Sequence, residues 1–461
     1  MENFERRKIL SRQKKLSWQE KKCNFSPLNH LRTFYFAVFT LTWLSFSGCG
    51  ETQRHAGATT LTEKKLFKLL AQREYFELRR ALRDGQDSIG DNKKLFFKAF
   101  IENAFNQNIR SSEIVDQLLK DSTEELNDTL KAELLLLQRD NYIKVFNYAK
   151  AAEIGRQILN YEIFFDESRW HDIKNLQRIY EGLSLTPGQR VESTGKNIEW
   201  KRDKVGLMTV PVRTNGSSFN FVFDTRASIS SIMRKYAEKL KLRMLDVRYK
   251  ESSGITGKTF DAQLAVADSL YVGELLIRHV VFQVLPDSIL SFPSIEYEIK
   301  GLIGFPVIKE MRELHIHQNG LMKISASTNG NTVQNLAFDE ATTVVSLRTK
   351  KDTLSFHFDS GANSSQLYAN YFRRFESEVK DNAKFDSVQI GGAGGMEKLD
   401  VYILPVFELQ IGNKTVKFDD IRVSTRPPYP NQKYYGNLGQ DLISQFDELI
   451  LNFESMYVEF K

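Results

Sequence analysis

The sequence predicts a multidomain chain with an α-helical N-terminal region followed by two all-β lobes. Three observations predict it. In the first third of the chain, apolar residues recur mostly three and four positions apart, the stripe of an amphipathic helix. Beyond Pro187-Gly188 the texture changes to short β-rich segments parted by glycine-bearing turns. The remainder repeats itself at a fixed offset of 135 residues. Phe221-Val222-Phe223-Asp224-Thr225 lines up with Phe356-His357-Phe358-Asp359-Ser360, Arg213-Thr214 with Arg348-Thr349, and Leu302-Ile303-Gly304 with Asn437-Leu438-Gly439.

A length of 461 residues calls for more than one domain, and 41% hydrophobic and 26% charged residues are ordinary for globular proteins. With 33 Phe and 17 Tyr the chain can fill sizeable cores. The formal charge of +6 sits in the first 48 residues, which carry nine Lys/Arg and three Asp/Glu; the rest holds 55 of each sign. Nothing there favours nucleic-acid binding. A basic stretch ending at Arg32 precedes an apolar run from Phe34 to Phe46, too short for a membrane span. The following Ser47-Gly48-Cys49 resembles a bacterial lipoprotein signal. That resemblance makes 1–48 a signal peptide, Cys49 the lipidated N-terminus and 49–60 a tether. The protein would then sit in the cell envelope, anchored to the membrane by lipid on the periplasmic or outer-membrane side. Cys23 and Cys49 are the only cysteines. The mature chain would have no disulfide, no thiol nucleophile and no Cys-ligated metal.

The helical region spans 61–190. Leu66, Leu69, Leu70, Phe76 and Leu78 form one apolar stripe, and Leu95, Phe96, Ala99, Phe100 and Ala104 form another within 91–106. Ser111-Ser112-Glu113 reads as a helix start before Ile114 and Leu118. Further helices are predicted at 126–138, 141–160 and 170–183. Short helices with short polar links suggest stacked pairs, either a repeat-like docking surface for a protein partner or a plain spacer.

The first lobe is assigned to 198–328 and the second to 333–461. Asn215-Gly216 between Leu207–Arg213 and Phe219–Phe223 is a hairpin signal. Strands follow at 259–268, 269–272 and 276–284. The second lobe repeats the layout and ends in a hairpin of Leu449–Phe453 and Met456–Phe460.

These residues carry a family resemblance. From about residue 200 to 461 the chain resembles the retropepsin-like (acid protease) aspartyl proteases, in which an apolar strand leads into Asp-Thr/Ser-Gly-Ala/Ser. Phe356 to Asn363 fits that pattern fully; in Asp224-Thr225-Arg226-Ala227, Arg226 stands where the family has Gly. The resemblance implies two retropepsin-like lobes, each giving one carboxylate to a catalytic pair, Asp224 and Asp359. Two adjacent carboxylates share one proton, so one can activate water while the other polarises a peptide carbonyl. It also implies that Thr225 and Ser360 brace the carboxylates and that Gly361 keeps the second turn tight. Gly304 and Gly439 would let their strands pass close to the Asp loops, with helices starting near Pro306 and Gln440. Candidate flap glycines are Gly254 and Gly257 in one lobe, and Gly391 and Gly395 in the other. The implied activity is endopeptidase action on a peptide or protein substrate without metal or organic cofactor. Arg226 opens the alternative: turned into the cleft, its charge opposes proton sharing, and the chain becomes a noncatalytic binder of extended peptides.

Other groupings point to less. His315-Ile316-His317 sets two imidazoles on one strand face, but a zinc site needs more ligands. His357 reads as a packing or hydrogen-bonding residue and Asp441 as a helix-start residue. The glycine-rich 391–395 stretch lacks the Lys of a phosphate loop.

Overall fold

The computed structural model describes residues 61–120, 126–192, 195–252, 256–326, 333–427 and 432–461. The leader, Cys49, the tether and Gly254 lie outside the described residues.

Seven α-helices occupy the described part of the N-terminal region, from Leu61–Ala71 to Glu167–Leu183. Their apolar stripes face inward, with Leu66, Leu78, Phe96, Phe97 and Leu134 buried. Arg73, Asn106 and Phe146 adopt left-handed backbone conformations after their helices and reverse the chain into the next one. Asn127, Asn147 and Asp166 cap the helices that follow by accepting from the backbone N–H three residues on.

Two predicted boundaries move. The helix expected to begin at Ser111–Glu113 begins at Asn108. Ser111 is inside it and buried; its hydroxyl donates to Ala99 O at 2.8 Å and accepts from Asn141 Nδ2 at 2.9 Å. The break expected between 138 and 141 falls at 145–147, because Asp128–Lys144 is one helix. Its Asn141 and Lys144 belong to a buried polar network with Asn103 and not to a solvated link. Hydrophilic residues that serve another helix mimic a linker in the sequence.

The β part contains a nine-stranded sheet between Arg190 and Ile303 and an eight-stranded sheet between Leu336 and Leu438. The Asn215-Gly216 turn joins Met208–Thr214 to Ser217–Phe223, with positive φ at both turn residues. The predicted pair 259–268 and 269–272 is one strand, Thr259–Val272, which turns at Gly273 into Leu275–Leu285.

Both sheets contain one shared device. The strand Ser217–Phe223 runs parallel to Gly301–Ile303, which is antiparallel to Ser230–Met233. In the second sheet Thr353–Phe358 runs parallel to Gly436–Leu438, which is antiparallel to Gln366–Leu367. Each central segment is three residues long and ends at a glycine, Gly304 or Gly439.

The C-terminal hairpin is not confined to the second lobe. Glu448–Asn452 pairs with Tyr457–Phe460 on one side and with Glu313–His317 on the other. The resulting five-stranded sheet also takes Leu321–Ile324 and Asn197–Glu199, so strands from both halves build it. Above it Phe305, Phe338 and Phe453 pack as one aromatic group, with Phe305–Phe338 centroids 4.7 Å apart.

The helical region packs against the β body. Arg73 Nη1 and Tyr75 Oη both donate to Asp339 Oδ1, and Ser355 donates to Glu74. Asn106 Nδ2 donates to Phe453 O, and Lys309 lies 4.6 Å over the Phe146 ring. Among the described residues, no helix is long and apolar enough to cross a membrane.

Candidate active site

The two parallel strand pairs deliver their loops to the same place. Asp224 N donates to Ile303 O at 2.9 Å, and Asp359 N donates to Leu438 O at 2.9 Å. After each Asp the chain passes under the strand-end glycine. Phe305 N donates to Ala227 O, and Gln440 N to Ala362 O, both at 2.8 Å. A Cβ on Gly304 would meet Ala227 O at 2.7 Å, and one on Gly439 would meet Ala362 O at 2.7 Å. Only glycine fits this approach of backbone to backbone. A serine on the flanking strand or loop supports each glycine: Ser230 Oγ accepts from Gly304 N, and Ser365 Oγ from Gly439 N. Ser230 and Ser365 obey the 135-residue offset. That offset was the signal available for them, and the motif reading passed over both.

Between the lobes the two turns hold each other. Thr225 Oγ1 donates to Phe358 O at 2.8 Å and accepts from Ser360 N at 3.0 Å. Ser360 Oγ donates to Phe223 O at 2.7 Å and accepts from Thr225 N at 3.1 Å. Both side chains are buried. Thr225 and Ser360 were expected to brace the carboxylates. Their hydrogen bonds go to the opposite turn's backbone, so they fix one Asp loop against the other. Thr343 adds to the same joint by donating to Phe358 O and Thr225 O.

The carboxylates are held differently. Asp224 Oδ1 accepts from Arg226 N at 2.9 Å and Ala227 N at 3.0 Å. Asp359 Oδ1 accepts from Gly361 N at 2.9 Å, and its Oδ2 accepts from Asn437 Nδ2 at 3.0 Å. Arg226 turns into the cleft, with Nη1 3.7 Å from Asp359 Oδ2. Its φ is not in the left-handed region, so the cost of replacing glycine here is space and charge and not backbone strain. Burial raises the Asp224 carboxyl to about 7; the Asp359 charge adds to the rise, against the two backbone N–H groups and Arg226.

Behind Asp359 lies His357, buried, its ring 4.5 Å from the Tyr434 ring. Burial, and then the Arg226 charge, keep this imidazole well below its usual range and therefore neutral. Tyr434 Oη donates to Asp339 Oδ2, the carboxylate that Arg73 and Tyr75 hold from the helical region. Asp441 lies in the first turn of its short helix Gln440–Ile443, whose cap position is Gly439. It accepts from Ser365 N and Oγ and so fastens the loop beneath Gly439.

The flap candidates divide. Lys384–Gly392 and Gly395–Ile411 form a hairpin in which Gly391 pairs with Met396, and Gly395 has positive φ. Gly394 N at its tip donates to Ile289 O of the first lobe, so this hairpin bridges the lobes. Gly257 has positive φ between Arg243–Ser252 and Thr259–Val272. His315 lies between Glu448 and Glu313 in the shared sheet. Among the described residues, no group of three or more His, Cys, Asp or Glu is placed to hold a metal.

Residues 210–307 match a family model described as aspartyl protease. That match contains the first Asp turn and the Leu302-Ile303-Gly304 strand end. Among solved structures, the chain is similar to the crystal structure of Basic 7S globulin from soybean. The two are 10% identical with a TM-score of 0.37, over 58% of this chain and 94% of the other. No curated protein matches.

Proposed function

We propose that this chain is an aspartic-type endopeptidase with a catalytic pair formed by Asp224 and Asp359, built from two retropepsin-like lobes within one molecule. The observation that carries the reading is the reciprocal hold of Thr225 and Ser360, which fixes two buried Asp turns against each other. The aspartyl protease match over 210–307 supports it. Asp224, raised to about 7, holds the shared proton and donates it toward the substrate carbonyl oxygen. Asp359, whose Oδ2 accepts from Asn437 and lies 3.7 Å from Arg226 Nη1, takes the proton from the attacking water. The substrate is an extended peptide or protein segment lying between the lobes under the hairpin that ends at Gly392–Gly395. No metal or organic cofactor enters the chemistry. The lipidated Cys49 would hold the enzyme at the cell envelope.

A second reading rests on Arg226. Its guanidinium shares the space beside the pair, which suits a noncatalytic relative that binds extended peptides. One assay separates the two. The full-length chain is incubated with a diverse peptide library, alongside Asp224→Asn and Asp359→Asn. Hydrolysis by the wild type and its loss in both variants, by at least about 1,000-fold each, supports the peptidase. Peptide binding without cleavage supports the binder. Full activity of either Asn variant would overturn the pair.

A further inference from the structure

Gly361 shows what the first turn should not tolerate. A Cβ built on Gly361 would fall on the Asp224 carboxylate, in contact with both oxygens. The two turns are related by the 135-residue offset, so the residue equivalent to Gly361 is Arg226. By the same offset a Cβ at position 226 faces the other carboxylate, that of Asp359, and the Arg226 side chain reaches it, with Nη1 3.7 Å from Asp359 Oδ2. Asp359 therefore cannot sit against the first turn as Asp224 sits against the second.

The hydrogen bonds record the consequence. Asp224 is held through Oδ1 by two backbone N–H groups of its own turn. Asp359 has one, from Gly361, since Ala362 N donates to Asp359 O instead. Its second oxygen is taken by the Asn437 side chain, which is 2% exposed. The first-lobe equivalent of Asn437 is Leu302, which has no donor to offer Asp224. Both departures from symmetry, Arg226 in one lobe and Asn437 in the other, meet at the same carboxylate oxygen. Burying a polar amide in a strand core is unfavourable unless it makes a hydrogen bond, and here Asn437 Oδ1 is buried without one. The single bond to Asp359 is what the amide offers in return.

We propose that Asn437 is a positioning residue which compensates for Arg226, holding the Asp359 carboxylate where the bulkier first turn leaves room for it. The inference rests on the peptidase reading for its kinetic consequence but not for its structural one. With Arg226 in place, loss of the Asn437 amide releases Asp359, so kcat falls while substrate binding elsewhere in the cleft is kept. With glycine at position 226, Asp359 can return to the symmetric position against the turn, and the amide becomes dispensable.

The test is a double-mutant cycle in the full-length chain, pairing Arg226→Gly with Asn437→Leu and, separately, with Asn437→Ala. Leucine is the first-lobe residue; alanine removes the amide without adding bulk. In the native Arg226 background, each Asn437 variant is expected to lower kcat about 10-fold or more with KM changed less than about 3-fold. In the Arg226→Gly background, the same variants should lower kcat less than about 3-fold. The urea midpoint should fall further on Asn437→Ala with Arg226 present than in the Arg226→Gly background. Equal losses in both backgrounds, in kcat or in midpoint, would overturn the compensation. If no variant cleaves any peptide, the peptidase reading fails, and the midpoints alone decide the pairing of Asn437 with Arg226.

Discussion

Asp224 decides how the site responds to pH. Its carboxyl is raised from an ordinary 3.8 to about 7 in the folded chain by burial and by Asp359. A raised carboxyl favours folding below the unfolded value, and that contribution is lost as pH rises towards the folded value. The window therefore runs from about pH 4 to about pH 7. Asp224→Asn removes the titration and keeps an oxygen for the N–H groups of Arg226 and Ala227. Relative to wild type, the variant should gain stability as pH rises from about 4 to about 7.5. The gain should be on the order of 1–3 kcal/mol, because the half-buried site is partly screened by solvent. Urea unfolding at the two pH values measures it, and a difference that does not grow with pH would remove the case for a protonated Asp224. Loss of the same proton should end hydrolysis above about pH 7.

At the scale of elements, the site consists of two strand ends passing over two turns. Gly304 and Gly439 carry that crossing, since a Cβ on either meets carbonyl oxygen at 2.7 Å. Backbone cannot swing aside as a side chain can. Gly439→Ala should therefore cost on the order of 2–3 kcal/mol and displace the Asp359 turn. Ser365→Ala, which leaves Gly439 N without its acceptor, should cost about 1–2 kcal/mol. Thermal unfolding checks both, and a neutral Gly439→Ala would contradict the tight crossing. Ala substituted at Gly395, whose Cβ would meet nothing within 4 Å, is a comparison in which only the positive φ matters.

For the whole molecule, the shared five-stranded sheet and the Phe305–Phe338–Phe453 group join the two lobes within one chain. The helical region grips Asp339 through Arg73 and Tyr75, and Asp339 in turn accepts from Tyr434 behind the site. Membrane attachment through Cys49 is the remaining proposal at this scale. Cys49→Ser should abolish labelling by a fatty-acid analogue and release the chain into the soluble fraction. Unchanged labelling of the variant would dismiss the anchor.

The succession of helices and then strands was legible in the sequence because periodicity reports burial, and burial follows local spacing. The paired Asp turns and their distal glycines were legible because the 135-residue repeat puts an Asp and a distal glycine at matching positions in both copies. Helix boundaries near Ser111 and Asn141 were not, since a polar side chain that hydrogen-bonds a neighbouring helix looks like one that faces water. The parts of Thr225 and Ser360 were misassigned for a similar reason: a motif names residue types, and their partners lie across the lobe boundary. Asn437 and His357 broke the repeat in the sequence, but only the fold places them beside Asp359 and Arg226. Sequence by itself determined which residues are duplicated, through local pattern and spacing. Tertiary structure decided which way Arg226 turns and what holds each carboxylate, because those depend on the space and charge that the opposite lobe presents.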